Sequence, residues 1–189
     1  MQKESKCMVR KKLLTLAGVV GILACGACFL PPLPQHRPAP PPIGNGLDGV
    51  QNIRVEVANS SPSHHLNSAD LARKIADAIN EQSWKMKVSA HVGKEAGVED
   101  AVLAITVSSE TVVSALAAES RRMTFLIKDS ATLTRLDGSL VWQETDAEYW
   151  ITRNVAEVNQ ADVWKEPGLV DGVNKTLSDR LALRMFYGR

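Results

Sequence analysis

The sequence predicts an α+β domain in which two helices pack on one face of a mostly antiparallel sheet of four to five strands, in the order β-α-β-β-β-β-α. Two stretches carry apolar residues every four positions, which indicates amphipathic helices. Five other stretches alternate apolar and polar residues or are rich in β-branched residues, which indicates strands. Helices stacked on one side of such a sheet would bury the apolar face of every element.

The first strand and the first helix are predicted from the region 50–82. Apolar residues alternate with charged ones over 50–58, as in a half-buried strand. A polar loop follows, and Ser68 is expected to cap a helix that ends near Gln82. The apolar stripe of this helix consists of Leu71, Ile75 and Ile79.

The middle of the domain contains two further strands and one ambiguous stretch. A second strand is predicted over 85–92, and a turn over 93–100 leads to a more buried strand at 101–107. The residues 108–122 suit either two helical turns or a strand end with a loop, and irregular structure is the favoured interpretation.

A hairpin and a second helix complete the domain. A long strand at 122–136 leads into Asp137-Gly138, a strong hairpin signal, and the chain returns as a strand over 140–149. The residues 152–165 are polar and loop-like, and Pro167 suits the first position of a helix that Gly188 ends. The apolar stripe of this helix consists of Leu169, Val173, Leu177 and Leu181.

The first 28 residues have the pattern of an export signal with an unusual end. Five basic residues and one acid precede an apolar run at 13–24, and small residues follow it. Ile22-Leu23-Ala24-Cys25 resembles the lipobox of bacterial lipoproteins, where the peptide is cut before a cysteine that then carries lipid. We therefore predict a signal peptide at 1–24, a lipidated Cys25 with a linker at 25–46, and a periplasmic domain at 47–189. Lipidation at Cys28 and an uncleaved signal anchor remain alternatives.

Composition restricts the partners and chemistry of the mature chain. Loss of 1–24 removes five of the 22 basic residues and one of the 21 acids, which leaves a net charge of −3 and no basic stripe for nucleic acid. All three cysteines precede residue 29, so no disulfide or thiol chemistry is expected in the domain. The segment 29–46 holds seven of the nine prolines and is predicted to be an extended spacer that reaches on the order of 50 Å.

Candidate catalytic and metal-binding residues are few. The common motifs of metalloproteases, serine hydrolases and phosphate-binding loops are absent. The histidines His64 and His65 are interpreted as solvated loop residues, and Glu144, Asp146 and Glu148 as the wet face of a strand. We therefore expect no enzyme activity, no cofactor and no metal site.

Aromatic and basic residues are the candidates for binding surfaces. Trp142 is expected in the core, whereas Trp150 and Trp164 stand in polar surroundings and are candidates for an interface. Arg121 and Arg122 are candidate contacts for anionic lipid headgroups or phosphates. They would form one basic patch with Lys85, Lys87 and Lys128, although a merely solvated surface is the alternative.

Three segments, together with the lipobox, resemble the family of lipopolysaccharide-assembly (LptE-like) outer-membrane lipoproteins. They are the strand IRVEVANSS from residue 53, the helix LARKIADAINEQ from residue 71 and the hairpin LTRLDGSLVWQE from residue 133. In that family a lipidated α/β domain plugs an outer-membrane β-barrel that delivers lipopolysaccharide to the cell surface. The chain departs from the family at 56–58, where an aromatic residue or proline is usual, and at 108–122.

The expected function follows from the leader and the resemblance. The resemblance implies a β-barrel partner and a lipopolysaccharide contact, for which Arg121 and Arg122 are the candidates, and Gly26 after the lipidated residue indicates the outer membrane. We expect a palmitate-bearing envelope lipoprotein that faces the periplasm and binds this partner. One alternative is an auxiliary lipoprotein of an envelope lipid transporter of the ABC type, which predicts an apolar groove between helices and sheet. An envelope enzyme using Glu144, Asp146 or Glu148 is disfavoured.

Overall fold

The structure, a computed structural model, describes residues 47, 49–93, 99–116, 121–156 and 162–188, with side chains omitted for 83–86 and 114–116. The signal segment, Cys25 and the proline-rich spacer therefore lie outside the described residues. The elements are β1 (Asn52–Asn59), α1 (Ser68–Met86), β2 (Ser89–Val92), β3 (Ala101–Leu116), β4 (Arg122–Arg135), β5 (Leu140–Asn154), a 3₁₀ turn (Val163–Lys165) and α2 (Leu169–Tyr187). This order confirms the predicted β-α-β-β-β-β-α layout. Neither α1 nor α2 is long and apolar enough to cross a membrane.

The five strands form one mixed sheet in the order β2-β1-β3-β4-β5. β1 pairs in parallel with both β2 and β3, and the α1 crossover returns the chain to the same end of the sheet for the β1–β2 pairing. The β3–β4 and β4–β5 pairings are antiparallel and have the longer ladders. The predicted α+β class, with a mostly antiparallel sheet, is confirmed.

Both helices cover the same face of the sheet, as expected, and the core lies between these layers. The sheet contributes fully buried residues such as Ile53, Leu103 and Phe125, and α1 and α2 contribute Ile75 and Leu181. Each buried side chain of this size contributes about 1.5–3 kcal/mol relative to exposure in water. The predicted stripes of both helices are therefore the surfaces that hold the two layers together.

The boundaries of α1 differ from the prediction at both ends. The Oδ1 atom of Asn67 accepts hydrogen bonds from the N–H groups of Ala69 (2.9 Å) and Asp70 (3.1 Å), so Asn67, not Ser68, is the cap. The helix continues to Met86, beyond the predicted end near Gln82, and β2 is correspondingly shorter than predicted.

The preference for irregular structure at 108–122 is wrong for the part of it that is described. β3 continues through this region to Leu116, with register shifts at Val107/Ser109 and Val112/Ser114. These irregularities interrupt the apolar alternation that marks a strand in the sequence. Pairing with the long β4 supplies the backbone hydrogen bonds that keep the segment extended. β5 likewise runs five residues beyond its predicted end at Tyr149, to Asn154.

Two glycines have the roles that the sequence predicted: Gly138 lies in the hairpin turn, and Gly188 ends the second helix. Gly138 has φ +87° in the β4–β5 hairpin, and Gly188 has φ +64° where its N–H donates to the Arg184 carbonyl at 2.8 Å. Both conformations favour glycine because an L side chain is strained there. Pro167 precedes α2, with Gly168 between them, and so does not occupy the first helical position that the sequence suggested.

Strand register defines two ends of the domain. The basal end holds Ala101, Arg135 and the β4–β5 turn, and the distal end holds Leu116 and Arg122. Thirteen steps of about 3.3 Å along β4 separate these ends by roughly 40 Å. The described chain enters the domain at the basal end, where Leu47 is buried and its carbonyl accepts the Val50 N–H at 2.9 Å.

Candidate functional site

A bulge in β5 decides which acidic side chains point into the domain. Thr145 and Asp146 together oppose the single residue Ser130 on β4. Asp146 has φ +51°, and its N–H donates to the Ser130 Oγ at 3.1 Å. Because side chains alternate along a strand, one extra residue reverses the alternation beyond it. Glu144, before the bulge, points toward the helices like the buried Trp142, whereas Glu148, beyond the bulge, lies on the outer face of the sheet.

The interpretation of Glu144, Asp146 and Glu148 as one wet face is therefore wrong for Glu144. Glu144 is only 2% exposed, Asp146 is exposed, and Glu148 is partly exposed. Glu148 forms an ion pair with the Nζ of Lys128 at 2.7 Å on the outer face. The sequence does contain a signal for the bulge: the buried Trp142 has an even number, whereas the buried Ala147, Tyr149 and Ile151 have odd numbers.

Four polar side chains between α2 and the sheet form what we call the buried acid cluster: Asp129, Glu144, Tyr149 and Arg184. Arg184 reaches down from α2 and forms an ion pair with Glu144. The hydroxyl of Tyr149 donates to the Oε2 of Glu144 at 3.0 Å, and the Arg184 guanidinium carbon lies 5.5 Å from the centre of the Tyr149 ring. Asp129, on β4, is fully buried, and neither carboxylate oxygen has a hydrogen-bond partner among the described residues.

The cluster contains two carboxyl groups and one cation. Burial and, to a lesser extent, the nearby Glu144 raise the pKa of Asp129 to about 8, although Arg184 opposes the rise. Burial also raises the pKa of Glu144, but Arg184 and the Tyr149 hydroxyl oppose that rise. The pKa of Tyr149 is raised above its usual range, mainly by burial. With a pKa of about 8, Asp129 is mostly protonated at neutral pH and lies beside the Glu144–Arg184 ion pair.

The geometry of the buried acid cluster favours a role in fixing α2 to the sheet. General acid–base catalysis needs a carboxyl group within hydrogen-bond reach of a substrate, and these two are enclosed between layers. Within the described ranges no group of three or more His, Cys, Asp or Glu side chains is placed to hold a metal ion. Sequence reasoning missed Asp129 and Arg184 because neither stands in a motif.

A third buried acid, Glu110 on β3, organises the loop that joins β1 to α1. Its carboxylate accepts hydrogen bonds from the backbone N–H of His65 at 2.6 Å and of Leu66 at 3.3 Å, and from the side chain of Asn59. The His65 ring then stacks on Trp164, with ring centroids 4.6 Å apart. His65 is an exposed loop residue, as is His64, but its ring is held by this contact.

The tryptophans Trp142, Trp150 and Trp164 differ in their exposure. Trp142 is 1% exposed, so its assignment to the core is confirmed. Trp164 is partly exposed and packs edge-on against the buried Phe125, with centroids 4.9 Å apart. Trp150 is partly exposed on the outer face of β5.

The two arginines proposed for anionic contacts lie at the distal end and are exposed. Arg121 has φ +43°, and its carbonyl accepts the Val155 N–H at 2.8 Å. The Nε of Arg122 donates to the Oδ1 of Asn154 at 3.4 Å. In the part of the chain that the structure describes, neither arginine forms an ion pair, and both side chains are exposed.

The larger basic patch is not assembled around these arginines. Lys87 lies two residues before the start of β2, whose first residue pairs with Asn52 near the basal end. Lys128 is engaged by Glu148. The side chain of Lys85 lies outside the described residues. Among the described side chains of the predicted patch, the candidate anionic contact is therefore the pair Arg121–Arg122.

A surface cleft between the two helices has a charged lining. Its volume is about 410 Å³, and it is lined by Asp70, Arg73, Lys74, Asp77, Val170, Asp171 and Asn174. The Nζ of Lys74 bridges the two helices to Asp171 at 2.6 Å. This cleft lies between the helices, so it does not test the apolar groove between helices and sheet that the transporter alternative predicts.

Comparison with known proteins identifies no family. No family model and no curated protein matches the chain. Among solved structures, it is similar to the PelC dodecamer from Paraburkholderia phytofirmans, with 12% identity, coverage of 76% of this chain and 94% of that chain, and a TM-score of 0.49. It is also similar to protein XCC0632 from Xanthomonas campestris (16% identity, coverage of 72% and 84%, TM-score 0.44). A third is a putative lipoprotein from Caulobacter crescentus CB15 (10% identity, coverage of 69% and 86%, TM-score 0.45). Likeness at this level defines neither a shared family nor a shared function.

Proposed function

We propose that this chain is a membrane-tethered envelope lipoprotein that binds a partner and catalyses no reaction. The observation that carries the proposal is the lipobox-like Ile22–Cys25, preceded by a basic segment and an apolar run and followed by the proline-rich spacer. Lipid on Cys25 would anchor the chain in the outer membrane with its domain in the periplasm. Multiple acyl chains would be needed, because one chain anchors a protein only marginally.

The layout of the domain supports a role in binding. Both helices lie on one face of the sheet, so neither covers the other face. That outer face presents threonines and partly exposed apolar residues, among them the cross-strand neighbours Leu126 and Trp150. Aromatic residues are enriched at protein interfaces relative to the rest of the surface. A partner protein would thus find a broad, preformed sheet surface.

The partner that we propose is an outer-membrane β-barrel that takes part in lipopolysaccharide assembly. The support is the resemblance of the first strand, the first helix and the β4–β5 hairpin to the lipoproteins of that system. Arg121 and Arg122 would contact the phosphate groups of lipopolysaccharide, since guanidinium groups bind phosphate in a bidentate manner. Their distal position suits lipopolysaccharide held by a partner better than headgroups of the anchoring bilayer.

The anchor is tested by fractionating cells that express Cys25→Ser. We expect the protein to leave the membrane fraction, because its lipid attachment site is gone. Cys28→Ser is the matched control and should remain in the membrane, with mass spectrometry locating the acyl groups on residue 25. Retention of Cys25→Ser in the membrane would contradict the proposal.

The partner is tested by extraction of outer membranes in mild detergent and purification of the tagged chain. A large β-barrel should copurify, together with lipopolysaccharide. The double variant Arg121→Glu, Arg122→Glu should reduce bound lipopolysaccharide without releasing the barrel, and Lys87→Glu at the basal end should change neither. Repeated purifications that recover no barrel would count against this partner.

A further inference from the structure

Two leucines project from the turn between β4 and β5 at the basal end. Leu136 is 64% exposed and Leu140 is 51% exposed, the two highest values among the large apolar side chains that the structure describes. We call residues 136–140 the leucine turn. Large apolar side chains grouped on a surface frequently mark a contact with another molecule, which raises the question of what covers this turn.

The backbone of the leucine turn is internally bonded. The N–H of Arg135 donates to the Ser139 carbonyl and that of Gly138 to the Arg135 carbonyl, both at 2.9 Å. The carboxylate of Asp137 accepts from the backbone N–H of Ser139 at 2.8 Å and from its hydroxyl at 2.6 Å. These bonds lower the pKa of Asp137. The turn therefore holds its shape while the two leucines remain uncovered.

The proline-rich spacer joins the domain beside the leucine turn. Leu47 and Val50 are buried at the basal end, and a Cβ on Gly49 would lie 3.6 Å from the Arg135 guanidinium, in ordinary contact. α2 runs antiparallel to β5. Arg153, near the distal end of β5, contacts Gly172 near the start of α2, and Glu144, nearer the basal end of β5, contacts Arg184 near the end of α2. Tyr187, 41% exposed, therefore lies toward the basal end as well.

We propose that the leucine turn lies in the headgroup region of the bilayer in which Cys25 is anchored, so that the basal end of the domain contacts the membrane. This inference rests on the proposed lipid anchor. Two leucines bind a bilayer weakly, but the lipid anchor makes the contact intramolecular, so that weak affinity suffices. The ionised Asp137 confines the contact to the interface. Arg121 and Arg122 would then face away from the membrane, roughly 40 Å from it.

The test uses the full mature lipidated chain in vesicles of phosphatidylethanolamine and phosphatidylglycerol. In a Cys28→Ser background, Leu136→Cys supplies one free thiol for an environment-sensitive fluorophore, and Thr152→Cys, exposed on the distal part of β5, is the matched control. We expect a blue-shifted emission and quenching by nitroxide-labelled lipids for the probe at 136. The probe at 152 should keep its emission in solution.

Three outcomes separate the inference from the proposed anchor. If the chain floats with the vesicles and the probe at 136 is unquenched, the anchor stands and the membrane contact is refuted. If the chain fails to float, the anchor is refuted and the contact falls with it. If Leu140→Asp leaves the quenching of the probe at 136 unchanged, the turn is near lipid but does not insert, which also overturns the inference. If Leu140→Asp abolishes the quenching, the inference is supported.

Discussion

Replacing Asp129 by Asn is expected to change how the stability of the domain depends on pH. Asp129 is fully buried, and burial raises its pKa to about 8 in the folded state. The unfolded chain exposes this carboxyl, which then titrates near its ordinary value of 3.8. Between these two values the folded state binds one proton more than the unfolded state, so the free energy of unfolding falls as pH rises.

The size of the effect follows from the linkage relation. Each pH unit within that window lowers the free energy of unfolding by about 1.4 kcal/mol for one such group. The wild type should therefore lose about 3 kcal/mol between pH 5 and pH 7 through Asp129. Above pH 8 both states are ionised at this position and the dependence ends. An Asn at 129 has nearly the same shape and no proton to lose, so the loss should be absent.

The assay is urea denaturation of the mature chain carrying Cys25→Ser, followed by tryptophan fluorescence at several pH values, with the buried Trp142 as a reporter. The difference in free energy of unfolding between the Asn variant and the wild type should grow by about 3 kcal/mol from pH 5 to pH 7. Asp146→Asn makes the same chemical change at an exposed residue of the bulge and should give a profile parallel to that of the wild type. Parallel profiles for Asp129→Asn and the wild type would refute the reasoning.

Three further substitutions follow from the described contacts. Arg184→Met removes the cation paired with the buried Glu144 and should lower the free energy of unfolding by about 3–5 kcal/mol in the same urea assay. Glu110→Gln removes a charged acceptor from the β1–α1 loop, so hydrogen exchange at the loop amides should accelerate while the global stability falls by about 1–3 kcal/mol. Gly138→Ala should cost about 1–2 kcal/mol because φ is +87° there, whereas Gly172→Ala in α2, where a Cβ makes ordinary contact at 3.5 Å, should stabilise by about 0.5–1 kcal/mol.

Controls distinguish these effects from general damage. Arg73→Met breaks an exposed pair with Asp70 and should cost less than about 1 kcal/mol, in contrast with Arg184→Met. Equal losses for the two arginines would show that the buried ion pair has no special role. A stabilised Gly138→Ala variant would contradict the strain assigned to the hairpin.

The sequence predicted those features that depend on local pattern. Spacing of four between apolar residues identified both helices, and Asp137-Gly138 identified the hairpin, because side-chain period and turn chemistry are properties of a few adjacent residues. It also placed Trp142 in the core. The predicted starts of the two helices, at Ser68 and Pro167, were wrong by one or two residues. The exact end of a helix depends on single hydrogen bonds, which the sequence pattern does not specify.

The tertiary structure decided the rest, for reasons that no local pattern contains. The bulge at 145–146 places Glu144 and Glu148 on opposite faces, and only the facing strand and α2 bring Glu144 to Asp129 and Arg184. The extension of β3 beyond 107 depends on its ladder with β4. Likewise, only the strand register places the leucine turn beside the tether and Arg121–Arg122 at the far end, because residues close in space here are separated by up to a hundred positions in the chain.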